Sequence, residues 1–64
     1  MTFAMKLKRL RTARGLTQMA LADRLRMKQP YLVELEAGRQ SNPKLSTLQR
    51  LAKALKVSVG KLVE

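Results

Sequence analysis

Apolar residues recur at helical spacing along almost the whole chain. Phe3, Leu7 and Leu10 form an i, i+4, i+7 stripe, and Leu21, Ala22 and Leu25 share one face of a second segment. Leu32 and Leu35 stand three apart in a third segment, leaving Gln29, Pro30, Val33 and Glu34 on the other side. Leu45, Leu48, Leu51, Ala52 and Leu55 line a fourth, and Val59, Leu62 and Val63 a fifth, where part of the apolar face stays uncovered. Each stripe is what an amphipathic helix needs to bury one side.

The punctuation between stripes sets the boundaries. Helix 1 is predicted over Thr2 to Arg14, stopped by Arg14-Gly15, with a cation beside the negative end of the helix. Thr17 can cap helix 2, although Ala20 stands where a reciprocal acid would complete a capping box. Only Arg26, Met27 and Lys28 separate the second and third stripes, enough to turn the chain through roughly a right angle. Ala22 is small enough to let the two helices cross closely. Helix 3 is predicted over Gln29 to Ala37, opened by Pro30 in its first turn and ended by Gly38 in a left-handed stop. Ser46 and Gln49 have capping-box spacing for helix 4, which runs to about Lys56, and Ser58 is an N-cap candidate for helix 5. The prolines and glycines sit at predicted element ends, so residues 1–64 read as a single all-helical domain.

Composition narrows the function classes. At 64 residues the chain is near the lower size limit for folding without covalent staples, and it has no cysteine to supply them. It has no histidine, one Asp and three Glu, and no metal-ligand or acid–base spacing among them, so neither an enzyme nor a metal or other cofactor is expected. Fourteen basic residues against four acidic ones give a net charge of +10, which favours polyanionic partners. No apolar run is long enough to cross a bilayer, and no secretion signal opens the chain, so a cytoplasmic location is expected.

The order and spacing of LTQ (Leu16 to Gln18), LADRL (Leu21 to Leu25), YLVELEAGR (Tyr31 to Arg39) and NPKLSTLQRLAKALKVSVGKLVE (Asn42 to Glu64) resemble the helix-turn-helix of the phage-repressor type, the XRE or Cro and repressor family. The resemblance covers nearly the whole chain. It implies a compact five-helix, lambda-repressor-like fold in which helices 2 and 3 form the motif and helix 3 enters the DNA major groove. It also implies an ion pair between Arg11 and Glu36, acting as a structural clamp, and a Gln18 that touches the DNA backbone or bridges to helix 3. Gln29 matches a base-reading position, where glutamine can pair bidentately with adenine. Pro30 offers only van der Waals contact, and Val33 suits a thymine methyl. Glu34 either accepts from a cytosine amino group or pairs with a neighbouring cation. Tyr31 bonds a phosphate or packs. Lys28, Arg39, Asn42 and Lys44, with Gln40 and Ser41, supply donors toward the backbone.

The chain departs from the family at two turn positions. Arg26 stands where glycine is frequent, and a left-handed arginine there costs roughly 1 kcal/mol. Lys28 replaces the common Ser or Thr cap of helix 3. The expected function is a sequence-specific double-stranded DNA-binding regulator, a repressor by family likeness, acting as a homodimer on a near-palindromic operator. The alternative is an antitoxin-like module that sequesters a protein partner, using apolar spots such as Met19, and regulates its own synthesis through the same fold. A cationic amphipathic protein acting non-specifically on anionic membranes or RNA is a distant third.

Overall fold

A computed structural model describes residues 2–39 and 43–63. They form five helices: α1 (Phe3–Ala13), α2 (Gln18–Leu25), α3 (Gln29–Glu36), α4 (Leu45–Leu55) and α5 (Val59–Val63). The main packing contacts close into a ring. α1 lies against α3, α3 against α2, α2 against α4, α4 against α5, and α5 returns to α1. Inside the ring Leu7, Leu21, Leu32, Leu35, Leu51, Leu55 and Leu62 are fully buried, with Ala22 and Ala52 between them. Each buried leucine contributes about 1.5–3 kcal/mol relative to exposure, so this leucine cluster is the main favourable term.

Local chemistry explains most of the boundaries. The Thr2 hydroxyl accepts from the Met5 N–H at 3.2 Å and Thr17 from the Ala20 N–H at 3.0 Å, so both helices open with a side-chain cap. The Ser58 hydroxyl does the same for α5, accepting from the Lys61 N–H at 3.1 Å. Gly15 and Gly38 hold φ of 70° and 78°, as the sequence leads one to expect after α1 and α3. Arg26 ends α2 in the left-handed region at φ 53°, ψ 40°. Its neighbour Met27 donates back to the Ala22 carbonyl at 2.9 Å and packs half-buried against the core.

One expectation is refined and two need correction. In α1 the most buried row is Ala4, Leu7 and Arg11, with Phe3 and Leu10 half-buried on its flanks. The phase is set by a charged side chain that turns inward, which an apolar stripe cannot register. α4 begins at Leu45, so Ser46 is already inside the helix and caps nothing; Lys44 takes the N-cap position without a side-chain bond. Leu45 is 62% exposed, because it precedes the point where α4 meets the core; Leu48, one turn on, is half-buried against it.

Lys56 also adopts the left-handed conformation, φ 58°, in a C-terminal turn whose carbonyl accepts from Arg14 Nη2 at 3.3 Å. A side chain there is strained where glycine would not be. Lys56→Gly is therefore expected to stabilise the fold by about 0.5–1 kcal/mol in urea unfolding. A loss of stability would mean that the lysine makes a compensating contact.

Candidate nucleic-acid interface

The site is built around a carboxylate. Glu36, the last residue of α3, has a side chain only 4% exposed, and a buried carboxylate is tolerated only when its oxygens are bonded. Arg11, from the last turn of α1, meets it fork to fork: Nε donates to Oε2 at 2.6 Å and Nη2 to Oε1 at 3.0 Å. The remaining guanidinium nitrogen, Nη1, donates to the Leu16 carbonyl in the α1–α2 loop at 2.7 Å. Gln18, the first residue of α2, adds a third bond through Nε2 to Glu36 Oε1 at 3.2 Å. Among the described residues no buried side-chain N or O atom lacks a partner. One carboxylate thus joins the end of α1, the start of α2 and the end of α3.

This pin matters because α3 is weakly fixed otherwise. It buries only Leu32 and Leu35, and its N-cap, Lys28, makes no side-chain bond. Pro30 sits in the first turn, where its missing N–H breaks no helical bond. Tyr31 is half-buried and packs against the core. Gln29 and Pro30 are exposed, and Val33 is 37% exposed. Their spacing places Gln29, Pro30 and Val33 on one outward face of α3.

The flanking residues divide. Glu34 Oε1 lies 3.6 Å from Arg39 Nη1, an ion pair with a neighbouring cation. Both side chains are substantially exposed, which makes this a pair worth about 0–1 kcal/mol. Lys28 and Lys44 are exposed at the N-caps of α3 and α4. Asn42, with Gln40 and Ser41, lies outside the described residues.

Two features of the area escaped the sequence reading. The Leu16 carbonyl as a partner for Arg11 has no sequence signal, since any residue supplies a carbonyl. Arg50 donates through Nη2 to the Leu25 carbonyl at the end of α2, a contact between helices that no local pattern signals. No group of three or more His, Cys, Asp or Glu is placed to hold a metal among the described residues. No helix among them is long and apolar enough to cross a membrane.

Five helices in this order, with a capped α2, a three-residue turn and an α3 pinned by a buried ion pair, define a helix-turn-helix protein of the phage-repressor type. The helix-turn-helix family model matches residues 7–62, and the chain belongs to that family, the XRE or Cro and repressor type. It is 40% identical over 63 residues to the immunity repressor protein of Bacillus phage phi105, covering 98% of this chain and 43% of the relative. It is 42% identical over 59 residues to the HTH-type transcriptional regulator DdrOP3 of Deinococcus deserti, covering 92% of this chain and 45% of that one. The chain therefore spans under half the length of these two relatives. Among solved structures, the restriction-modification controller protein C.AhdI from Aeromonas hydrophila superposes with a TM-score of 0.87 at 35% identity, over 94% of this chain and 89% of that one. Hydroxypropylphosphonic acid epoxidase from S. wedmorenis contains the same fold, with a TM-score of 0.90 at 31% identity over 97% of this chain and 32% of the enzyme.

Removing one side of the buried pair strands the other charge. Arg11→Ala is expected to cost about 3–5 kcal/mol in equilibrium unfolding, while Arg11→Met combined with Glu36→Leu recovers most of that loss. Equal destabilisation by the single and double variants would mean that packing, not the stranded carboxylate, is what Arg11 supplies.

Proposed function

We propose that this chain is a DNA-binding transcriptional regulator that reads an operator half-site with the outward face of α3. The observation carrying this reading is that face itself: Gln29, Pro30 and Val33 stand exposed on a helix whose far end is pinned through Glu36 to α1 and α2. Gln29 pairs with a base edge, adenine being the best match for its amide, and Val33 meets a thymine methyl. Glu34 holds Arg39 toward a phosphate rather than reading a base. Gln18 keeps one amide N–H for the backbone after bonding Glu36, beside the positive end of α2. Lys28, Tyr31, Arg39, Asn42 and Lys44 complete the backbone contacts. The chain performs no catalysis of its own in this reading.

Size supports a dimer. The backbone spans 24 × 23 × 20 Å and presents one α3, whereas successive major-groove faces lie roughly 34 Å apart, so one copy covers one half-site. A homodimer on an inverted repeat, acting as a repressor in the cytoplasm, is the assembly proposed.

Selection from a random duplex pool, followed by titration of the winner at several salt concentrations, tests this directly. An enriched inverted repeat is expected, and uniform binding with no enriched motif would overturn the reading. Gln29→Ala should weaken the selected site by about 1–3 kcal/mol and leave scrambled DNA nearly unchanged. Lys44→Gln should weaken both alike and reduce the salt slope by about one.

A further inference from the structure

A second cationic surface lies at the opposite end of α2 from Gln18. A cleft of about 450 Å³ opens between the C-terminal turn of α2 and α4, lined by Arg24, Leu25, Arg26, Arg50, Lys53 and Ala54. Cations make up most of the lining, and no carboxylate contributes to it. None of the residues proposed to touch operator DNA lines it. Asp23 is next to Arg24 in sequence but is exposed and is not part of the wall. The acids of the two ion pairs, Glu34 and Glu36, hold Arg39 and Arg11, so Arg24, Arg26 and Lys53 have no carboxylate partner among the described residues.

Helix ends explain part of this charge, but too little. Each helix C-terminus carries the equivalent of about half a negative charge, so the ends of α2 and α4 together offset about one of the four cations. An uncompensated positive cleft remains. Its construction points the same way. Arg50 is anchored across the cleft by its bond to the Leu25 carbonyl. Arg26 occupies a left-handed backbone position, φ 53°, that glycine would fill without strain. Its side chain nonetheless lines the cleft, so the charge is kept there in spite of the strained backbone.

We infer that this cleft binds a phosphate-bearing polyanion, either the backbone of a nucleic-acid segment other than the one α3 faces or a free polyphosphate. Planar guanidinium groups suit phosphate oxygens, and the cleft is large enough for a short polyphosphate. The inference stands on the cleft residues alone and does not depend on how α3 is used.

The test is NMR titration of the isotope-labelled full chain with inorganic triphosphate at near-physiological ionic strength. Saturable shifts are expected at the amides of Leu25, Arg26, Lys53 and Ala54. Arg26→Gly should weaken binding by about fivefold, the upper range for one exposed cation, while its melting temperature rises because the backbone strain is gone. Lys44→Gln, on the other cationic surface, should leave triphosphate binding unchanged. A parallel titration with a scrambled duplex of about one helical turn identifies the source. Cleft shifts with the duplex point to nucleic acid, and cleft shifts with triphosphate alone point to a free polyphosphate. Non-saturating shifts spread over every cation, or equal weakening by Arg26→Gly and Lys44→Gln, would overturn the inference. So would preferential binding of polyglutamate over triphosphate.

Discussion

The buried carboxylate of Glu36 is the constraint on which the placement of α3 depends. Taking a carboxylate and a guanidinium out of water costs several kcal/mol per ion, and their mutual attraction repays this only with good geometry and full hydrogen bonding. Here both conditions hold, with Leu16 and Gln18 supplying the extra partners. The pair therefore adds little net stability compared with an apolar replacement, yet its directional bonds admit only one relative position of three helix ends. A leucine in place of Glu36 could slide; a bidentate pair cannot. The interaction is better understood as a registration device than as a source of cohesion.

That device is needed because local structure around α3 is poorly optimised. Lys28 provides no cap, Arg26 strains the preceding turn, and two leucines with a half-buried tyrosine are all that anchor the helix to the core. Each deficit is small. Together they leave α3 dependent on tertiary contacts, and the ring of helix pairings supplies them through Leu32, Leu35 and Glu36. Cohesion comes from the leucine cluster, and orientation from the ion pair.

What was legible in the sequence follows the range of the interaction involved. Thr2 lies at the predicted start of α1, and Thr17, Ser58, Gly15 and Gly38 act over one turn, so their roles could be read from neighbouring residues. The pairing of Arg11 with Glu36 spans 25 positions, and nothing in the local pattern implies it; family likeness did. Where local signals conflict, residue type alone does not decide between them. Ser46 has the chemistry of a cap, but the phase of the leucines and the preceding proline let α4 start two residues earlier. Lys56 in a left-handed turn and Arg50 bonded to Leu25 depend on how α4 meets its neighbours, which no stripe of apolar residues encodes.

The fold alone does not decide what such a domain does, since it forms about a third of an epoxidase as well as most of a restriction-modification controller protein. In the proposed reading the outward face of α3 carries the distinction, and on this chain that face is sparse. If α3 reads bases as proposed, Gln29 is its one side-chain amide, worth about 1–3 kcal/mol of discrimination. Pro30 donates nothing, and Glu34 is engaged by Arg39. Specific regulators prefer their operators over random DNA by about 4–10 kcal/mol, so one such face falls short. Two copies on an inverted repeat double the direct reading, and the deformability of the DNA between half-sites adds discrimination at positions no side chain touches. A poor reading helix therefore argues for dimeric binding more strongly than a rich one would.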